Sequence, residues 1–314
     1  PVLGTFDGSE WRPLLASVPP RLQPHAELRT SGAPLRYEMT IEPLRLPVLP
    51  LLEVSAEAPR IEGYRVRATE DLQWLTDRPL IERLRFQAEA HVRFEHGPRE
   101  AVAGLRDYVQ LPPGFNPRTL EWAAALKREP GMAEASARAL AQRVLRHVRE
   151  GGYTYTLAPG EYGRDAIDEF WLDRKEGFCE HFAAAFVVVM RAAGVPARIV
   201  TGYQGADPLP LDGYTVVRQS AAHAWAEYWQ EGAGWQRADP TAAVAPDRIQ
   251  RSVRLAPPPG LVAGAIDAVS PQLLRRLREG WETLNNRWNQ WVLSYSRGQQ
   301  FDLLKDLGFE SPDW

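Results

Sequence analysis

The chain holds a single cysteine, and its neighbours suit nucleophilic chemistry. Gly177-Phe178-Cys179-Glu180-His181 stands where a polar loop turns into an apolar, helix-like run. A cysteine in the first turn of a helix meets unpaired backbone N–H groups and the positive end of the macrodipole. Both favour the thiolate, the form that attacks an acyl carbon. The Cys179 backbone N–H is equally well placed to serve as one oxyanion-hole donor. A lone cysteine is otherwise a small buried hydrophobe.

A thiolate nucleophile needs a base. His181 is near in sequence, but positions i and i+2 of a helix point to nearly opposite sides, so it reads as a packing or hydrogen-bonding residue beneath the site. His223 is the better base. It lies in Ala222-His223-Ala224-Trp225-Ala226-Glu227, where small alanines alternate with large side chains, as in a strand with two distinct faces. His223 and Trp225 share one face. Glu231–Gly234 reads as a turn, so Trp235–Ala238 returns antiparallel beside this strand and brings Asp239 back toward His223. A carboxylate there can accept the imidazole N–H, fix its tautomer and stabilise the imidazolium. An Asp-Pro pair also has a plain structural use, capping the turn before Pro240.

Other elements must hold these residues. Asn116-Pro117 reads as an N-cap and first helical residue of a helix toward Lys127. Leu140, Val144, Leu145 and Val148 recur at helical spacing in Ala137–Val148, which Gly151-Gly152 ends. A short strand (Tyr153–Leu157), the Cys179–Ala193 helix, and strands at Ala197–Tyr203, Tyr214–Gln219, Ala222–Gln230 and Trp235–Ala238 follow. A helix packed on an antiparallel sheet gives an α+β domain over residues 116–250. Residues 1–115 read as β-rich and sandwich-like. Their clearest strand is Leu80–Phe94, with Leu80, Leu84, Phe86, Ala88, Ala90, Val92 and Phe94 on the inward face; Leu35–Glu42 and Tyr64–Ala68 are weaker. Residues 251–314 read as a Pro-rich linker, Pro257–Pro259, then an amphipathic helix with Leu274, Leu277, Trp281, Leu284, Trp288, Trp291 and Tyr295 on one stripe. Such a helix docks on the protein or leads toward a membrane surface.

Composition sets the outer bounds. The chain has 314 residues, a length that fits two domains plus appendages, with 25 % charged residues and a net charge of −3, so there is no basic field for nucleic acid. One Cys and six His without close spacing suggest no metal site, no glycine-rich phosphate loop is apparent, and no cofactor is expected. The longest apolar run, Phe182–Met190, is too short to span a bilayer. The chain opens at Pro1 without a basic, apolar leader and reads as a piece of a larger protein.

The longer strings carry a resemblance. Arg174-Lys-Glu-Gly-Phe-Cys-Glu-His-Phe-Ala183, Gly194-Val-Pro-Ala-Arg-Ile-Val-Thr-Gly-Tyr203, Arg218-Gln-Ser220, Ala222-His-Ala-Trp-Ala-Glu227 and Trp235 through Asp239-Pro-Thr-Ala242 resemble the transglutaminase-like superfamily, papain-like cysteine enzymes. Within it they look like membrane-anchored bacterial transglutaminases of the TgpA type. The likeness takes in Leu111-Pro-Pro-Gly114, Asn116-Pro-Arg-Thr119 and Trp288-Asn-Gln-Trp291, and is weakest in the first hundred residues. Papain-type proteases place their His roughly 130–150 residues after the Cys, much farther than Cys179 stands from His223. Ala221 stands where an acidic residue often precedes the Ala-His-Ala-Trp string.

The resemblance implies a periplasmic domain flanked by transmembrane helices outside this chain, with Cys179, His223 and Asp239 as catalytic residues. The implied chemistry is acyl transfer from a glutamine-type carboxamide of a protein or peptide to a primary amine, through a Cys thioester. Trp171 is a candidate for polarising the acyl oxygen and Trp225 for lining the substrate; with Trp235 they would exclude water and favour the amine. Two readings stand beside it. The same triad with water as acceptor gives a peptidase, amidase or deamidase. A binding module without chemistry is the third, and the retained triad speaks against it.

Overall fold

The structure, a computed structural model, describes residues 1–207 and 214–245. The linker and amphipathic helix expected over 251–314 lie outside the described residues.

The first residues join the sheet of the second half: β1 (Val2–Leu3) runs antiparallel to Ala197–Tyr203. Beyond it, prolines keep the strands of the first hundred residues short. The longest ladder pairs β2 (Leu35–Ile41) with β3 (Leu84–Ala90), antiparallel. Its alternation follows the sequence: Phe86, Ala88 and Ala90 are buried, while Arg85, Gln87 and Glu89 are exposed. The expected strand Leu80–Phe94 is cut at both ends, and Val92, read as inward, is 77 % exposed. The cause is a long-range exchange. His91 turns its backbone to Val54, with N–H···O distances of 2.8 and 3.2 Å, and a separate strand, Arg93–Glu95, then pairs with Arg29–Ser31. Val66–Ala68, shorter than expected, joins Trp74–Thr76 and Val48–Leu49 in a three-stranded sheet. Ile41, Leu49, Trp74, Leu80 and Phe86 fill one cluster between the two ladders, a small sandwich-like core.

The helices of the second half are tied to the loop that precedes Cys179. α1 (Pro117–Arg128) follows Asn116, whose φ of 51° is left-handed. Asn116 does not cap its own helix. Its Oδ1 accepts the N–H groups of Ile167 and Asp168, at 3.0 and 3.3 Å, while the Asp168 carboxylate accepts those of Arg118 and Thr119, at 3.0 and 2.7 Å. The two residues thereby cap each other's segments, satisfying donors that a helix start leaves open. α2 (Ala137–Glu150) is capped by Ser136, whose Oγ accepts from the Ala139 N–H, and ends at Gly151.

α3 (Cys179–Ala192) is buried on every side from Phe182 to Arg191, because its sequence is apolar around the whole helix. It packs between α1 and α2 and the sheet. Arg191 is its one buried charge. Its guanidinium donates to the carbonyls of Ala197, Gln110 and Gly4 at 2.9, 2.9 and 2.7 Å. Burial lowers its pKa to about 9, and these acceptors, with the negative end of the helix, make the position tolerable.

β4 (Ala197–Tyr203), β5 (Ala222–Gln230) and β6 (Gly234–Ala238) complete an antiparallel sheet in the order β1-β4-β5-β6. Ala224, Ala226 and Ala238 share the cluster of α3, and their small side chains let the helix approach closely. The strand expected at Tyr214–Gln219 does not form. There Arg218 is pinned on Asp207, Gln219 accepts from the Tyr203 hydroxyl at 2.7 Å, and Gln219–Ala221 closes a 3-10 turn into β5. Local side-chain bonds of this kind compete with a ladder.

The N-terminal region clasps the far end of the sheet through polar contacts. Arg198 bridges Glu227 and Asp71, each at 2.8 Å, and the Trp229 indole donates to the Pro98 carbonyl at 2.7 Å. Gly97, at φ 82°, admits the Trp235 ring, which a Cβ would meet at 2.4 Å.

Candidate active site

Cys179 occupies the first position of α3 and is almost wholly buried. Phe178 precedes the helix, and its N–H donates to Nδ1 of His181, at 3.4 Å. His181 thus serves the helix start from beneath. Its ring lies against Tyr162, Phe170 and Phe178, and burial together with the Arg174 charge pushes its pKa down to about 3. A neutral imidazole in that setting fits the structural part read for it.

β5 carries His223 to the end of the sheet nearest the start of α3. Register sets it opposite Gly202 on β4. Across the β5–β6 hairpin, Asp239 returns as expected, and its Oδ2 accepts from Nε2 of His223 at 2.8 Å. The other carboxylate oxygen, Oδ1, caps the Pro240–Ala243 turn through the Ala242 N–H at 3.4 Å. The two uses of an Asp-Pro pair coexist in one residue.

With Nε2 bound to Asp239, Nδ1 is the ring nitrogen left for the thiol. Among the described residues it is buried with no oxygen or nitrogen partner, and Cys179 is close enough to His223 to bond to it. Burial alone would depress the imidazole. The hydrogen bonds to Asp239 and Cys179, and the negative charges of both, outweigh it and lift His223 to about 9. An imidazolium held beside a cysteine at a helix start is the arrangement that sustains a thiolate.

The aromatic candidates separate. Trp225 stacks on His223, with ring centroids 6.3 Å apart and planes at 24°, so it stands at the site. Trp171 is fully buried on the π-helical turn Glu169–Arg174, with Trp122, His147 and Tyr153 as ring neighbours. Trp235 packs with Tyr108 and Leu105 on the N-terminal side. Two further residues escaped the sequence reading. Among the described residues Glu180 has a buried Oε2 without a partner, and burial, with the Cys179 charge, drives its carboxyl well above the usual range. A neutral carboxyl there does not oppose the thiolate; its place beside Cys179 was the available signal. Arg237 lies over the Trp225 ring, with its guanidinium carbon 4.2 Å from the centroid. The hairpin register, Glu227 opposite Arg237, puts it diagonally across from Trp225 and could have revealed it.

Among the described residues, no group of three or more His, Cys, Asp or Glu side chains could hold a metal ion, and no helix is long and apolar enough to cross a membrane.

The chain as a whole is similar to known proteins. The family model of the transglutaminase-like superfamily matches residues 121–240, and that of the TgpA N-terminal domain matches residues 1–94. A protein-glutamine gamma-glutamyltransferase of Pseudomonas aeruginosa is 35 % identical over 305 residues, covering 94 % of this chain and 43 % of its own length. The chain therefore spans less than half of that relative. The periplasmic domain of TgpA from Pseudomonas aeruginosa is 32 % identical, with a TM-score of 0.69, covering 80 % of this chain and 83 % of that one. The same domain bound to ethylmercury matches at 33 % identity and a TM-score of 0.68, over 79 % of this chain and 84 % of that one. The chain belongs to the transglutaminase-like superfamily and, within it, to the TgpA type.

Proposed function

We propose that the chain is the periplasmic catalytic portion of a membrane-anchored acyltransferase. It would join a glutamine-type carboxamide of a protein or peptide to a primary amine, with Cys179 as nucleophile, His223 as acid and base, and Asp239 as the carboxylate that orients His223. The observation that carries this reading is His223 itself, bound to Asp239 through Nε2 and facing a cysteine at the start of a buried helix.

The Cys179 thiolate attacks the carboxamide carbon, and a C–S bond forms. The backbone N–H of Cys179, at the first position of the helix, would serve as an oxyanion donor. Collapse of the tetrahedral intermediate breaks the C–N bond, and the His223 imidazolium gives its proton to the departing ammonia. The incoming amine then attacks the thioester, His223 removes a proton from it, and the C–S bond breaks, restoring the thiolate. Asp239 keeps the imidazole in the tautomer that presents Nδ1 to sulfur. The burial of Cys179 and the indole of Trp225 limit access of water, which would otherwise take the place of the amine.

The test is incubation of the purified chain with a glutamine-containing peptide and a fluorescent primary amine, beside Cys179→Ala. Amine incorporation by the wild type alone is the expected result. Ammonia release without incorporation would assign a deamidase or amidase instead, and neither product would remove the acyl-transfer reading.

A further inference from the structure

We infer that Arg237 is a positioning residue for this site, acting through Trp225 and anchored by Glu53 of the N-terminal region; the inference rests on the acyl-transfer reading above.

Trp225 forms one wall of the His223 ring, yet its own indole Nε1 is buried with no hydrogen-bond partner among the described residues. Among these residues nothing polar at the ring edge fixes its orientation. What holds it is packing: Gly202 beneath, where a Cβ would come within 3.0 Å of the ring, and the Arg237 guanidinium over its face. A cation over an indole is attracted by the negative face of the ring. The guanidinium is itself held at two further points. It pairs with Glu53 at 3.2 Å and donates to the side-chain oxygen of Gln204. Gln204 in turn donates its backbone N–H to the Ala221 carbonyl at 2.8 Å, two residues before His223. Arg237 therefore joins the N-terminal region, both ends of the segment that leads into β5, and the ring stacked on His223.

An ordinary surface ion pair would look similar in part, since the Arg237 and Glu53 side chains are 38 % and 44 % exposed. Such a pair contributes little. The difference here is the ring beneath the cation, and so the prediction concerns Cys179 reactivity, not stability alone. The other charged groups facing this cluster are Glu227 and His96 toward Glu53, Asp239 toward His223, and Glu180 toward Cys179; all stay unchanged in the variants.

The experiment follows alkylation of Cys179 by iodoacetamide from acid to alkaline pH in wild type, Arg237→Met, Arg237→Lys and His223→Ala, with the melting temperature of each. Wild type is expected to react at pH values where an ordinary thiol does not. Arg237→Met should react about three- to tenfold more slowly at neutral pH, the range that a cation–π contact supplies, with its profile moved toward ordinary thiol behaviour. Arg237→Lys should keep most of the wild-type profile, because an ammonium can also sit over an indole. An Arg237→Met profile that coincides with wild type would overturn the inference, whatever its melting temperature. If Arg237→Met does not fold, Glu53→Gln must show part of the same shift, and an unmoved profile there overturns it equally. A wild type as inert as His223→Ala would remove the underlying acyl-transfer reading as well.

Discussion

The two halves of the molecule solve different problems. Residues 117–245 build around a helix apolar on every face and three strands of a four-stranded sheet, β1 supplying the fourth, with β4–β5 pairing unbroken from Ala197↔Tyr228 to Tyr203↔Ala222. The N-terminal region instead divides its chain among ladders of two or three strands, joined by proline-rich segments. It meets the sheet through polar ties, Asp71 on Arg198, Pro98 on Trp229 and Glu53 on Arg237, and through the Trp235 ring packed on Tyr108 and Leu105. The first half grips; the second half places. Side chains held at a fixed separation need fixed backbones on both sides, and a fully buried helix against a registered sheet supplies them for Cys179 and His223.

The largest effect that would break this contrast lies in the site. Asp239→Asn should keep the turn cap, since an amide oxygen can still accept the Ala242 N–H, while losing the charge on His223. Amine incorporation should fall about a thousand- to ten-thousand-fold, as when a neutral partner replaces a triad carboxylate. The pH dependence of stability should change with it. His223 is raised from 6.5 to about 9 in the folded chain, so its interactions stabilise fully below about pH 6.5 and are lost as pH rises through about 9. In Asp239→Asn the decline over that window should flatten, as read by urea unfolding at several pH values.

Next comes the anchor of α3. Arg191→Met removes three hydrogen bonds and leaves buried carbonyls open, at a cost of about 2–4 kcal/mol in denaturant unfolding. A smaller loss would mean that the helix is held by its apolar faces alone. Between the halves, Gly97→Ala should cost about 1–3 kcal/mol, from a left-handed backbone and a clash with Trp235. Gly32→Ala shares the positive φ but meets nothing within 4 Å, so its loss should be no more than about 1–2 kcal/mol. Equal losses would deny that the regions meet tightly at Trp235. Least of all, Val92→Thr, on an exposed bend, should change stability by less than about 0.5 kcal/mol.

What the sequence revealed follows the same division. Ala197–Tyr203 and Ala222–Gln230 have the bounds that alternation predicts, and the return of Asp239 to His223 follows from one tight turn. These are local patterns. The start of α3 at Cys179 was equally legible, from a polar loop meeting an apolar run. What escaped depends on distant partners. Val92 turns outward because His91 bonds to Val54; Tyr214–Gln219 is no strand because Arg218 and Gln219 bond to Asp207 and Tyr203. Asn116 gives its cap to residues 167 and 168, and Asp168 caps the start of α1, which no local rule could specify. The hairpin register already sets Arg237 across from Trp225; its ties to Glu53 and Gln204 are the part that depends on distant residues.

The central claim is that Cys179 carries the acyl group. Its most direct test is the intact mass of the chain, quenched in acid after brief exposure to a reactive glutamine-peptide donor without amine. The expected result is a thioester adduct, mapped to the peptide holding Cys179, that disappears when a primary amine is added and never forms in Cys179→Ala. An adduct on another residue, or product formation with Cys179→Ala, would contradict it.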